Sequence, residues 1–160
     1  YMGYKSFSKK NIFYPTSIFL GYYFKWDPNK TFQIAKKNGF KEDTKARTGL
    51  YNFADIDDYS ISIHHWFKWY KFGFTRLFDN LSLEIRNKRI SRSKAIKIIK
   101  KKSFKPPLSD INKFCKYIGI SKHQFFTIAN KFRNKKIWHK KGNTWMIKNF
   151  ITDYNWNENK

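Results

Sequence analysis

The chain has a single cysteine, Cys115. That excludes an intrachain disulfide and a cysteine-based zinc site, and it suits a reducing, cytoplasmic setting. No apolar run approaches the ~20 residues a membrane-spanning helix requires. The opening YMGYKSFSKK lacks the charged region, apolar core and cleavage site of a signal peptide and does not start with methionine, so the expectation is a fragment of a longer protein. The seven glycines are dispersed, no two within five residues, which leaves no glycine-rich phosphate loop in this stretch. No metal site is expected: His64, His65, His123 and His139 show no ligand spacing, and the first two, being adjacent, diverge on a helix. No serine-nucleophile motif occurs. Acids are scarce, 11 against 34 bases, which gives a net charge of +23.

What is present is aromatic and basic. Aromatics make up 21% of the 160 residues, enough for one sizeable core and too many for a disordered chain. The charge alone points to nucleic acid or an anionic membrane. The abundance of Lys, Asn, Ile, Phe and Tyr has a duller source in an A+T-rich genome, so the charge is discounted, although anionic substrates would still be attracted. A small basic helical nucleic-acid module remains the alternative, supported by the acid-free run 86–105.

Residues 17–24 read as a buried strand. Asp27 is a good N-cap and Pro28 fits the first helical position; that helix ends at Gly39. A strand followed by a helix is one α/β step, and ligands of open α/β sheets lie beyond the strands' carboxyl ends. Lys25, Trp26 and Asp27 would stand there, with capping the simpler role for Asp27. Residues 41–53 are irregular, with a turn at Thr48-Gly49 and Arg47 available to an anion.

The chain is organised around residues 57–95. A first helical pattern opens at Asp57 and Asp58 and closes at Lys68 and Lys71, matching the macrodipole, with Gly73 as its stop. Tyr59, Ile63, Trp66, Phe67 and Tyr70 form an aromatic stripe read as core. Asp57, His64, Lys68 and Lys71 share another face. A second pattern runs over 75–88, so Lys71 and Arg76 flank the Gly73 corner, where they are expected to converge on one anion with His64 nearby. Ser91 caps a helix over 92–101 that buries Ala95, Ile96 and Ile99. Pro106-Pro107 breaks the chain. Helices over 109–118 and 122–133 follow, the second introduced by the capping box Ser121–Gln124. A hairpin over 137–147 turns at Lys141-Gly142-Asn143, with Trp138 and Trp145 expected to face each other.

KFGFTR (71–76), EIR (84–86) and ISR-x-x-A (90–95), together with YYFKWDP (22–28), NGF (38–40) and RTG-x-Y (47–51), resemble in order and spacing the C-terminal half of the N-acetyl sugar amidotransferases. These belong to the PP-loop, adenine-nucleotide α-hydrolase-like, ATP pyrophosphatases of lipopolysaccharide and other surface-glycan biosynthesis. The resemblance spans about residues 18–95, with a weaker echo to about 145. It implies an ATP-dependent, AMP-forming conversion of a sugar acetamido group into an acetamidino group, with Mg²⁺-ATP bound mainly by a preceding part. Ammonia would come from a glutaminase through a cyclase-like subunit. In catalytic roles it implies Lys71, Arg76 and His64; in substrate binding, Lys25, Trp26, Arg47, Thr48, Tyr51, Asp57, Glu84 and Arg86. The family has a glycine where this chain has Lys88, often an acid at Asn80 and commonly one at Lys94. The expected fold is a mostly helical α/β fragment: one strand–helix unit of a PP-loop-type sheet, a helical region and a hairpin. Residues 1–105 would close the catalytic domain and 106–160 would form a helical tail.

Overall fold

The computed structural model describes residues 17–102 and 104–153. Among these, seven helices precede one hairpin: α1 (Leu20–Tyr23), α2 (Pro28–Lys37), α3 (Ile61–Phe72), α4 (Arg76–Arg86), α5 (Arg92–Lys101), α6 (Leu108–Ile118), α7 (Lys122–Lys131), β1 (Trp138–Lys141) and β2 (Thr144–Ile147).

Local chemistry sets most of these boundaries. The Asp27 carboxylate accepts from the Asn29 N–H with Pro28 at the first helical position. Ser91 accepts from the Lys94 N–H, and Ser121 and Gln124 form the full capping box. Gly73 and Gly119 end their helices at φ 72° and 73°. Gly73 is doubly constrained, since a Cβ there would lie 2.9 Å from Ile147 Cδ1. α3 begins later than its acids suggest. Asp58 instead accepts from both the N–H and the hydroxyl of Ser60, a local turn that competes with helix.

Two apolar centres result. Ile63 and Trp66 of α3 pack with Ile111, Cys115, Phe125 and Ala129 of α6 and α7, with Phe67 and Tyr70 at the margin. Leu77 and Leu81 of α4 pack with Ala95 and Ile99 of α5. The first centre joins residues on both sides of position 105. The hairpin closes on α3: the Trp138 indole donates to the Tyr70 carbonyl at 3.0 Å. The Arg133 guanidinium lies over the rings of Tyr70, Trp138 and Trp145, at 3.9, 4.7 and 4.9 Å, an arrangement worth more when the cation is desolvated.

Three expectations are corrected. Residues 17–24 form no strand: α1 is one helical turn whose Phe24 N–H bonds the Leu20 carbonyl. A lone strand leaves its backbone groups unpaired unless a neighbour supplies the ladder, and the sole sheet among the described residues is the two-stranded hairpin. The fold is therefore mostly helical with a hairpin, without the PP-loop-type strand–helix unit. Within the hairpin, Trp138 stands opposite Ile147 and Trp145 opposite Lys140, because the two-residue turn fixes the register.

Candidate functional site

The loop between α2 and α3 folds back over α4. Gly49 makes this possible: a Cβ there would fall 2.0 Å from Asn80 Oδ1 and 3.1 Å from Arg76 Cγ. Asn80, 3% exposed, accepts from the Leu50 N–H at 2.9 Å. The loop then places Asp55, at φ 59°, among three polar groups. The Thr48 hydroxyl donates to its Oδ2 at 2.6 Å, Arg76 Nε lies 3.4 Å from the same oxygen, and His65 Nε2 lies 3.7 Å from Oδ1. His65 is 9% exposed, and its Nδ1 has no hydrogen-bond partner among the described residues. Burial holds its imidazole below the ordinary histidine range, against the pull of Asp55.

The partners of this carboxylate line two clefts, Thr48 and His65 one and Arg76 the other. The first, about 270 Å³, is basic: Arg47, Thr48, His65, Thr75, Lys102 and Lys105 line it above Trp66 and Leu77. The second, about 340 Å³, is apolar and aromatic, lined by Trp26, Phe32, Phe40, Tyr51, Phe53, Arg76 and Asn80. Its rings are ordered by stacking, Phe32 on Phe53 at 4.2 Å and Tyr51 on Phe53 at 4.9 Å.

A charged network underlies the second cleft. Glu84, 7% exposed, accepts from Tyr51, from Asn29 at 3.0 Å and from the Arg89 fork at 2.6 and 2.7 Å. Arg89 Nη1 also donates to both Asp27 carboxylate oxygens, at 2.9 and 3.0 Å. The fork holds both carboxyls below their usual range, while burial and then Glu84 push the Tyr51 phenol up. Arg89 reaches this position because Lys88 turns the chain at φ 59°. The Arg89 and Lys88 N–H groups then bond the Glu84 and Ile85 carbonyls at 2.9 Å, the hydrogen-bond pair of a Schellman cap, whose preferred C′ residue is glycine.

The residues singled out from the sequence thus fall into separate groups. Trp26, Tyr51 and Arg76 share the aromatic cleft, with Glu84 beneath. Arg47 and Thr48 line the basic one; Arg47 also donates to the Asp58 carbonyl at 3.1 Å and lies over Tyr59. Lys25, Asp57, His64 and Arg86 are exposed. Lys71 and Arg76 do not converge: Lys71 lies over the Phe132 ring at 5.3 Å, whereas Arg76 turns to Asp55. The Gly73 corner itself is filled by Ile137 and Ile147. Asp55, His65 and Arg89 were missed. For His65 a signal existed, since Ser62, His65, Trp66 and Trp69 continue the buried stripe at helical spacing. For Arg89 the clue was the left-handed position before it.

The described residues thus form a mainly helical domain with one basic and one aromatic cleft, whose lining residues Thr48, His65 and Arg76 meet at Asp55. The family described as LPS biosynthesis protein WbpG-like, C-terminal domain, matches residues 29–152, more than half of the chain. The chain belongs to this family, and through it to lipopolysaccharide biosynthesis. No curated protein matches the sequence. No helix among the described residues is long and apolar enough to cross a membrane, and those residues hold no cluster of His, Cys, Asp or Glu suited to a metal.

Proposed function

We propose that this chain is the C-terminal portion of an ATP-dependent N-acetyl sugar amidotransferase that turns a sugar acetamido group into an acetamidino group. The observation that carries this reading is the family match over residues 29–152. The meeting of Trp26, Tyr51 and Arg76 on one aromatic cleft supports it. Aromatic faces suit the C–H face of a sugar ring, and Arg76 brings a fixed positive charge to the edge of that cleft. In the proposed reaction the acetamido oxygen takes the adenylyl group of ATP and releases pyrophosphate. Ammonia then displaces AMP, leaving the amidine. Arg76 balances developing negative charge, Asp55 orients its guanidinium, and Glu84 with Arg89 fixes Tyr51. The glutaminase and cyclase-like subunit supply and channel ammonia, and the glycine-rich loop for Mg²⁺-ATP belongs to the remaining part of the enzyme.

The test uses the full-length enzyme with Mg²⁺-ATP, a nucleotide-linked N-acetyl sugar and ammonium salt, following AMP release and amidine formation. Arg76→Ala is expected to lower kcat/KM by the equivalent of about 2–4 kcal/mol. Its ion pair with Asp55 is partly exposed, side chain 36%, so the change in folding stability stays below about 1 kcal/mol. Unchanged kcat/KM would remove Arg76 from the reaction. Absence of any amidine product from an enzyme that binds both substrates would refute the reading as a whole.

A further inference from the structure

The basic cleft has no role in the reading above. It lies between the Thr48 loop, the inner face of α3, the start of α4 and the chain that leaves α5. Arg47, Lys102 and Lys105 reach it from segments far apart in sequence. Lys102 and Lys105 have no ion-pair partner among the described residues. Thr75, the residue before α4, makes no side-chain capping bond. The Phe78 N–H bonds the Thr75 carbonyl at 3.0 Å, whereas the Arg76 and Leu77 N–H groups at the start of this 11-residue helix have no acceptor within it, so the positive end of its dipole meets the cleft together with the Thr75 hydroxyl. His65 is an independent sign of a ligand. Its ring lines the same cleft, it is 9% exposed, and its Nδ1 is buried without a partner. A buried N–H in that condition is costly unless an acceptor completes its bonding, and a diphosphate oxygen is such an acceptor for the Nδ1–H form of the ring.

The nearby acids leave Lys102 and Lys105 uncancelled, and only Arg47 has a carboxylate within ion-pair distance. Asp55 is occupied by Thr48, Arg76 and His65, and Asp110 accepts from Ser62 at 2.6 Å. Asp43 lies 3.7 Å from the Arg47 guanidinium. Size narrows the ligand. At about 270 Å³ the cleft is below the usual range for a whole drug-sized molecule, so it accommodates the charged part of a larger one.

We propose that this cleft binds the diphosphate group of a substrate or product, with Arg47, Lys102 and Lys105 as its cations, the α4 N-terminus and Thr75 as neutral donors, and His65 as the buried wall. Under the amidotransferase reading two sources carry such a group, the nucleotide-linked sugar and the pyrophosphate released from ATP. That reading bears on which source applies, whereas the cleft's affinity for diphosphate stands apart from it.

The probe is inorganic pyrophosphate, titrated calorimetrically into the full chain at moderate salt, with thermal unfolding of every variant as a check on folding. Lys102→Ala/Lys105→Ala is expected to weaken binding at least about tenfold. Lys97→Ala/Lys100→Ala removes the same charge from the exposed side of α5 and is expected to change binding less than about twofold. The His65 ring resonances should shift on binding, while those of His123 and His139 stay in place. Equal weakening by the two double variants, or no saturable binding, would overturn the proposal. Competition by a nucleoside diphosphate sugar would mark the sugar as the source; competition by ATP without the sugar would mark pyrophosphate, and either outcome supports the cleft. Pyrophosphate binding lost in Lys102→Ala/Lys105→Ala, in an enzyme that forms no amidine, would uphold the cleft while refuting the amidotransferase reading. Amidine formation at the wild-type rate in that double variant, with pyrophosphate binding intact, would refute the cleft alone.

Discussion

Removing Arg89 tests how the floor of the aromatic cleft is held. Its fork makes four contacts of 3.0 Å or less with Glu84 and Asp27. In Arg89→Ala, Glu84 keeps only Tyr51 and Asn29 as donors while remaining 7% exposed. Stripping the partner from a buried charge costs about 3–5 kcal/mol. The two surviving donors and the 31% exposure of the Arg89 side chain reduce this to about 2–3 kcal/mol at neutral pH. The pH dependence gives a second check. The Glu84 carboxyl is held below its usual range chiefly by Arg89. Its contribution in the wild type is therefore complete above the unfolded value, about 4.5, and is lost as pH falls through the lower folded value. Without Arg89 the largest cause of that depression is gone, so acid costs the variant less stability than it costs the wild type. Urea unfolding of both proteins should show the largest difference near neutrality and a smaller one at about pH 4. A difference under about 0.5 kcal/mol at neutral pH, or one that does not narrow in acid, would mean that the fork adds nothing beyond an exposed ion pair.

Gly49→Ala should destabilise by about 1–3 kcal/mol, because its Cβ would meet Asn80 Oδ1; wild-type unfolding in urea would contradict the close approach. Lys88→Gly should stabilise by up to about 1 kcal/mol, since glycine takes the left-handed position without the Cβ cost, and a lower melting temperature would count against that cap. Residues 18–26 leave Phe19 and Tyr22 each 85% exposed, with Ile18, Leu20, Tyr23, Phe24 and Trp26 also uncovered. The isolated chain should therefore self-associate at concentrations where a variant with serine at Phe19, Tyr22 and Phe24 sediments as a monomer. DNA binding driven by the +23 charge should be sequence-indifferent and fall steeply with salt in a filter or anisotropy assay. Selective binding that survives moderate salt would favour the nucleic-acid alternative.

Signals acting within one helical turn were legible in the sequence. The caps at Asp27, Ser91 and Ser121, the glycine stops at positions 73 and 119 and the buried set Ala95, Ile96 and Ile99 depend on neighbours within four positions. So does the core assignment of Ile63 and Trp66, because helical periodicity is a local property. Of the residues chosen from the motifs, Trp26, Tyr51 and Arg76 line one cleft, while Lys25, His64 and Arg86 are exposed.

The tertiary structure decided everything that needed a partner distant along the chain. Residues 17–24 have strand-like composition, but a strand exists only if another strand pairs with it, and among the described residues none does. His64 and His65 are neighbours of the same type; one is exposed and the other buried because a helix turns about 100° per residue and the loop that carries Thr48 and Asp55 closes on the His65 side of α3. Arg89 finds Asp27 62 positions away, and Glu84 finds Asn29 across 55. Asp55 acquires Thr48, His65 and Arg76 when the Gly49 loop closes on α4. Sequence spacing carries no information about such meetings. They arise when side-chain volume, burial and unpaired charge across the whole chain must be satisfied at once.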